Sequence, residues 1–199
     1  MVTKDGQCQQ CPTPREWDLL ESPYHFYRFL TEIEDALKQA TTLHQCDCLP
    51  ALRRLVRKLV VNSYWLKTQC PKLDPKAAAA FLNLYDEIGY PLTVQIETLM
   101  PGASSTIHTH GTWGIVAVLQ GQERNTLWRR SPEPAFPDKI TRVAEKDLVY
   151  GDVISFVPDA IHSVEAVGDK PLVTFNLYGE TERQQRFEFD AIAHSAKRY

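Results

Sequence analysis

The pattern of apolar positions changes once along the chain. Between residues 14 and 86 it has helical spacing. Phe26, Phe29, Leu30, Ile33 and Leu37 recur on one face of a helix, and Leu52, Leu55, Val56, Leu59 and Val60 repeat the stripe. Arg53, Arg54, Arg57 and Lys58 fall mostly on the other side of the second helix, the pattern of a solvated face. Asp74 followed by Pro75 reads as an N-cap with proline at the first helical position, which predicts a third helix from Ala77 to Leu84.

From Pro91 onward the period becomes two. Leu92 to Leu99 alternates apolar and polar, and Gly114 to Gly121 is an apolar run closed by a turn residue. Further short strands are predicted over residues 123–128, 140–143, 153–157, 162–167, 172–178 and 186–189. Gly121, Pro132 to Pro137, Asp147, Gly151 and Gly168-Asp169 supply the turns between them. The Pro-rich stretch 131–138 reads as the tip of a hairpin rather than a domain linker. Many short, regularly spaced strands predict a sandwich or closed barrel.

Composition narrows the class. A chain of 199 residues fits one domain, here read as helices over 1–88 and a barrel over 89–199. With 43% hydrophobic residues it is not a disordered chain, and a net charge of −3 gives no footprint for nucleic acid. No apolar run approaches the roughly 18 residues of a membrane span. The N-terminus lacks the basic and apolar regions of a signal peptide, so a cytoplasmic protein is expected, as monomer or homodimer. Cys8, Cys11, Cys46, Cys48 and Cys70 are odd in number and read as thiols in a reducing compartment. Cys8-x2-Cys11 and Cys46-x-Cys48 could pair as a four-thiolate zinc site, but the second spacing is tight and incidental thiols are the preferred reading.

The sharpest chemical feature is His108-Thr109-His110. On a strand, residues i and i+2 share a face, so both imidazoles can project into a barrel. His162, in the later segment Pro158 to His162, is the third candidate. Three neutral imidazoles make a facial metal site with positions left open for substrate. Glu97 is weighed as a fourth ligand; Glu165, three residues past His162, points to the opposite face.

These segments resemble the two motifs of the cupin superfamily. The first runs Gly102, five residues, His108-Thr109-His110, three residues, Gly114, six residues, Gly121, with Gly114 where the motif has Glu. The second is Gly151, Pro158 and His162, with Ala160 in place of Gly and Ala166 in place of Asn. Within the cupins the chain is most similar to the thiol dioxygenases, the cysteine dioxygenase and 3-mercaptopropionate dioxygenase family. The stretches SSTIHTH, TWGIVAVLQG, IHSVEAV and NLYG carry that likeness, as does a helical region before the barrel.

The resemblance implies a mostly β fold: a jelly-roll-like double-stranded β-helix preceded by helices. It implies a mononuclear Fe(II) held by His108, His110 and His162, with a small thiol and O2 as substrates and a sulfinate as product. Loss of the motif Glu at Gly114 fits a three-histidine set, and Gly114 excludes the Cys–Tyr cross-link of some members. Tyr178 matches the active-site tyrosine, and Thr174 and Asn176 stand where the family has Ser and His. No Arg lies between Tyr64 and His108 to grip a substrate carboxylate, which leaves Asn83 as the nearest upstream polar group. Arg186, with Arg183 as its rival, takes the place of the carboxylate-binding Arg that mercaptopropionate enzymes carry after the Tyr strand. Trp113, beside the metal strand, is a candidate for the pocket wall, with a place in the core as its equal alternative. Two alternatives stay open: a metal-dependent cupin oxygenase with another small substrate, and a non-catalytic cupin that senses a metal or ligand.

Overall fold

In the computed structural model the described residues are 1–11, 20, 24–40, 45–69, 71, 74, 76–86, 92–180 and 183–199. Two longer helices, α1 (Phe26–Ala40) and α2 (Leu49–Asn62), precede a short α3 (Tyr64–Thr68). Phe29, Leu30 and Ile33 of α1 and Leu52, Val56, Leu59 and Val60 of α2 are buried, so the predicted stripes are the faces that pack. On the polar side of α2, Lys58 bonds Glu32 of α1 at 3.2 Å and sits 4.1 Å above the Tyr24 ring. Among the described residues no helix is long and apolar enough to cross a membrane.

Among the described residues eleven strands follow: β1 (Ala79–Asp86), β2 (Leu92–Leu99), β3 (Ile107–His108), β4 (Gly114–Gln120), β5 (Gln122–Arg130), β6 (Ile140–Val149), β7 (Val153–Phe156), β8 (Ile161–Val167), β9 (Leu172–Gly179), β10 (Phe187–Asp190) and β11 (Ser195–Arg198). They form two antiparallel sheets, ordered β1-β2-β9-β4-β7 and β11-β10-β3-β8-β5-β6. This is the mostly β, two-sheet architecture behind a helical segment that the sequence predicts. The proline-rich loop joins β5 to β6, as expected. At the β4–β5 turn Gly121 has φ +78°, and a Cβ there would stand 2.6 Å from the Pro171 carbonyl oxygen, so the turn admits only glycine.

Three expectations fail. The predicted helix over Ala77 to Leu84 is instead strand β1, paired with β2 from Ala79↔Leu99 onward. Local alanine propensity loses to ladder pairing and to burial of Leu82 and Leu84 against the helical layer. Asp74 makes a turn, accepting from the Lys76 amide at 2.9 Å through its side chain and from the Ala77 amide at 2.8 Å through its carbonyl. Asp147 is not a turn residue; it lies inside β6, where both carboxylate oxygens accept from Arg124 of β5 at 2.8 and 3.0 Å.

The alternation of the strands positions the site. Val94 and Ile96 of β2, Ile115 and Ala117 of β4, and Val173, Phe175 and Leu177 of β9 turn outward onto α1 and α2. The other faces turn inward, toward the second sheet. Val116, Val118, Ile154, Phe156 and Leu172 meet Leu127, Leu148 and Ala166 there and close one part of the interior. Apart from Leu99, the remaining inward positions of β2 and β9 are polar: Thr93, Gln95, Glu97, Thr174, Asn176 and Tyr178. A polar interior costs stability unless its groups are partnered, so this face marks function.

Candidate metal centre

The three predicted histidines converge. Their nearest ring nitrogens all lie within 4.8 Å of one another. His108 on β3 is directly opposite His162 on β8. His110 lies two residues past His108, just beyond the end of β3, so the paired strand is shorter than the sequence implies. His110 Nε2 is 3.1 Å from His162 Nε2. Phe156 closes the back of the cluster, its ring centroid 4.2 Å from that of His162.

Hydrogen bonds aim these rings. His108 Nδ1 donates to the Thr106 carbonyl at 2.9 Å, leaving Nε2 as the free lone pair. His162 Nδ1 lies 2.9 Å from Asn125 Oδ1. Asn125 is oriented by Glu123, because its Nδ2 donates to Glu123 Oε1 at 2.5 Å. The amide oxygen must then face His162, which makes His162 Nδ1 the donor and again frees Nε2. Asn125 and Glu123 are both buried. Burial also holds His110 and His162 well below the usual imidazole range, with the neighbouring histidines adding to the effect, and lowers His108. Three neutral imidazoles with lone pairs toward one point are the donor set that a divalent transition metal takes.

Glu123 and Asn125 carry no sequence signal. They sit on a strand whose partner histidine lies 37 residues away, so only the fold brings them together.

The cluster opens onto a cavity of about 390 Å³ between the sheets, lined among others by Tyr178, Arg186, Asn176, Thr174, Glu97 and Glu123. Tyr178 stands edge-on to His110 at 4.9 Å between centroids, and burial pushes its hydroxyl far above the ordinary phenol range, so it stays a donor. Arg186 lies between β9 and β10; its guanidinium sits 4.3 Å over the Tyr199 ring and acts on His108, His110 and Tyr178. Thr109, facing away from its two histidine neighbours, fastens that segment: its Oγ1 donates to the Gln185 carbonyl and accepts from the Phe187 amide, each at 3.0 Å. The side chain of Arg183, the rival of Arg186, lies outside the described residues.

Asn176 is buried and donates to Thr174 Oγ1 at 3.1 Å. Glu97 lines the cavity but is outside the histidine group. Burial raises the Glu97 carboxyl to about 7, and burial also raises Glu123 to about 7. Glu165 is exposed, as expected.

Two predicted pocket residues are elsewhere. Trp113 belongs to the core beneath the helices, packed against Gly179, where a Cβ would collide with the indole; Thr112 lines the cavity in its place. Asn83 is exposed on the edge strand β1, its amide donating to Asp86 at 3.4 Å, and Phe81 is the residue of that strand that borders the cavity. Trp113 has the parity of Ile115, which faces the helices, whereas Asn83 shares the face of Phe81 but lies farther along the edge strand, outside the cavity lining. Cys8 and Cys11 are free thiols, Cys48 is buried in the core, and Cys70 and the Cys46 side chain of the zinc alternative lie outside the described residues.

No protein-family model matches the chain, and no curated protein matches it. Among solved structures, a cupin superfamily protein from Desulfitobacterium hafniense is similar over 58% of this chain and 87% of that one, with 14% identity and a TM-score of 0.44. A cupin-like protein from Thermotoga maritima is 19% identical over 61% of this chain and 75% of its own, with a TM-score of 0.41. A cupin superfamily sugar phosphate isomerase from Silicibacter pomeroyi is 22% identical over 52% of this chain and 60% of its own, with a TM-score of 0.40. The structural neighbours of this chain thus include cupin superfamily proteins.

Proposed function

We propose that this chain is a non-haem thiol dioxygenase with one Fe(II) held by His108, His110 and His162, converting a small thiol carboxylate and O2 to a sulfinate. The observation that carries the reading is a neutral three-histidine set sharing one cavity with Tyr178 and Arg186. Three uncharged ligands leave a bound divalent ion its full positive charge, which favours an anionic thiolate. When bound, the iron supplies the centre at which thiolate sulfur and O2 meet.

The chain's own residues do the rest. Asn125 and Thr106 hold Nδ1 of His162 and His108, so both rings present Nε2. Tyr178 keeps its phenolic proton and donates a hydrogen bond to the reacting group beside His110. Arg186 supplies a fixed cation for the substrate carboxylate. Phe156, Val116 and Leu172 present apolar surface to the interior and limit the water around it.

The test is O2 uptake by anaerobically purified, Fe(II)-loaded protein against cysteine, 3-mercaptopropionate, cysteamine and 2-mercaptoethanol. Saturable uptake with one of them, lost in His108→Ala, supports the reading. No uptake at full iron occupancy overturns it. One observation favours a metal-dependent cupin oxygenase with another substrate: Asn176 cannot shuttle a proton where the family has His.

A further inference from the structure

We propose that Glu97, Glu123 and the amide oxygen of Asn176 form a subsite for a protonated amine, so that the thiol consumed at this site carries an ammonium group. The proposal rests on the dioxygenase reading for the thiol and adds the amine from separate residues.

These three side chains come from three strands and face the same cavity as the histidines. Glu97 is on β2, across the ladder from Thr174 of β9. Glu123 is on β5 of the opposite sheet. Asn176 is two residues past Thr174 on β9, hence on the same inward face.

All three offer acceptors that the protein leaves open. Among the described residues no hydrogen bond or ion pair reaches Glu97. Glu123 is 2% exposed, and its one partner is the Asn125 amide at Oε1. Asn176 is 1% exposed; its Nδ2 is taken by Thr174, while among the described residues no donor meets its Oδ1. Arg186, which acts on His108, His110 and Tyr178, is not among the charges that act on either glutamate. The charge that acts on Glu123 is that of Glu97, which is repulsive.

Two carboxylates and an amide oxygen around one space require donors. An ammonium group brings three N–H donors, one for each of the three side chains, and one positive charge, which matches the sign. A second carboxylate would meet like charge there, and a hydroxyl brings one donor for three acceptors. Burial of both glutamates raises their affinity for protons, and a cationic ligand relieves the same deficit. Arg186 acts at the histidine and tyrosine side of the cavity, so an aminothiol with a carboxylate finds a partner for each charge.

The experiment is anaerobic calorimetric titration of the Fe(II)-loaded protein with cysteamine and with 2-mercaptoethanol, which differ only in ammonium against hydroxyl. The expected result is cysteamine binding roughly tenfold or more tightly, the size of a charge-assisted hydrogen bond gained. In Glu97→Gln the ratio falls toward one, and Glu97→Asp recovers part of it. Melting curves of each variant establish that it is folded; the fall of the ratio in a folded variant decides the proposal, because the ammonium also makes the cysteamine thiol more acidic, and Glu123→Gln is the second variant if Glu97→Gln does not fold. Equal affinity for the two thiols overturns the subsite and leaves the dioxygenase reading standing. Binding of neither thiol overturns both. A second equivalent of Fe(II), lost in Glu97→Gln, assigns the acceptors to a second metal and also overturns it.

Discussion

Gly114 lies against Tyr178 with no room between them: a Cβ on Gly114 would stand 3.0 Å from the Tyr178 ring and 3.0 Å from His110 Nδ1. The two residues are also paired across β4 and β9. The motif carboxylate missing at this position is therefore replaced by space, and the space is what lets tyrosine and histidine meet at 4.9 Å. Gly114→Ala should displace one or both rings. The expected outcome is a stability loss of about 1–3 kcal/mol, typical of overpacking. Metal affinity should weaken as well. Melting curves and a competitive metal titration check both.

Asn125→Ala removes the acceptor for His162 Nδ1 and the donor to Glu123 together. Loss of such an outer partner typically weakens metal binding 10- to 100-fold. The apoprotein should also lose about 1–3 kcal/mol from the buried groups left unpaired. A titration against a chelator of known affinity measures the first, and denaturant unfolding the second. An unchanged metal affinity would show that His162 is held by packing against Phe156 alone.

Proton counts give a third prediction. All three histidine pKa values are lowered from the ordinary 6.5, first of all by burial. A group depressed in the fold contributes stability that is complete above its unfolded value and is lost as pH falls through the folded value. The metal-free protein should therefore lose stability below about pH 6.5 on this account. Metal binding at pH 7 should release almost no protons from these rings, which calorimetry in buffers of different ionisation enthalpy reads directly.

Glu97 has the opposite sign. Its carboxyl rises from 4.5 to about 7 in the fold through burial. The neutral form is favoured, so its contribution is complete below the unfolded value and is lost as pH rises through about 7. Glu97→Gln should gain on the wild type by on the order of 2 kcal/mol between pH 4.5 and pH 8. The difference in melting temperature across that range checks it. A constant difference would mean that Glu97 is solvated.

Arg186→Leu should raise KM for thiols that carry a carboxylate by roughly 10- to 100-fold, the value of a charge-assisted pair. It should leave cysteamine, which lacks a carboxylate, within about threefold. A similar rise for both would assign Arg186 to stacking on Tyr199 rather than to the substrate.

Much of this molecule was legible in period alone. The stripes of α1 and α2, the alternation of β2 and the apolar run of β4 follow from the spacing of apolar residues, and His108, His110 and His162 from their motif intervals. Strand β1 was not legible, because Ala79, Ala80 and their neighbours favour helix locally and are strand only through pairing with β2. The sequence could not decide between core and pocket wall for Trp113, because apolar residues line both. Glu123 and Asn125 were invisible because nothing in a chain announces which distant histidine a buried amide will meet.

The central claim is that the neutral three-histidine set beside Tyr178 oxidises a thiol with both atoms of O2. The direct measurement is turnover of the Fe(II)-loaded protein under ¹⁸O2, with mass analysis of the product formed from the thiol that supports uptake. The account predicts a sulfinate carrying two labelled oxygens per molecule, absent with His108→Ala. A disulfide as the only product, a single labelled oxygen, or no turnover at full iron occupancy would contradict it.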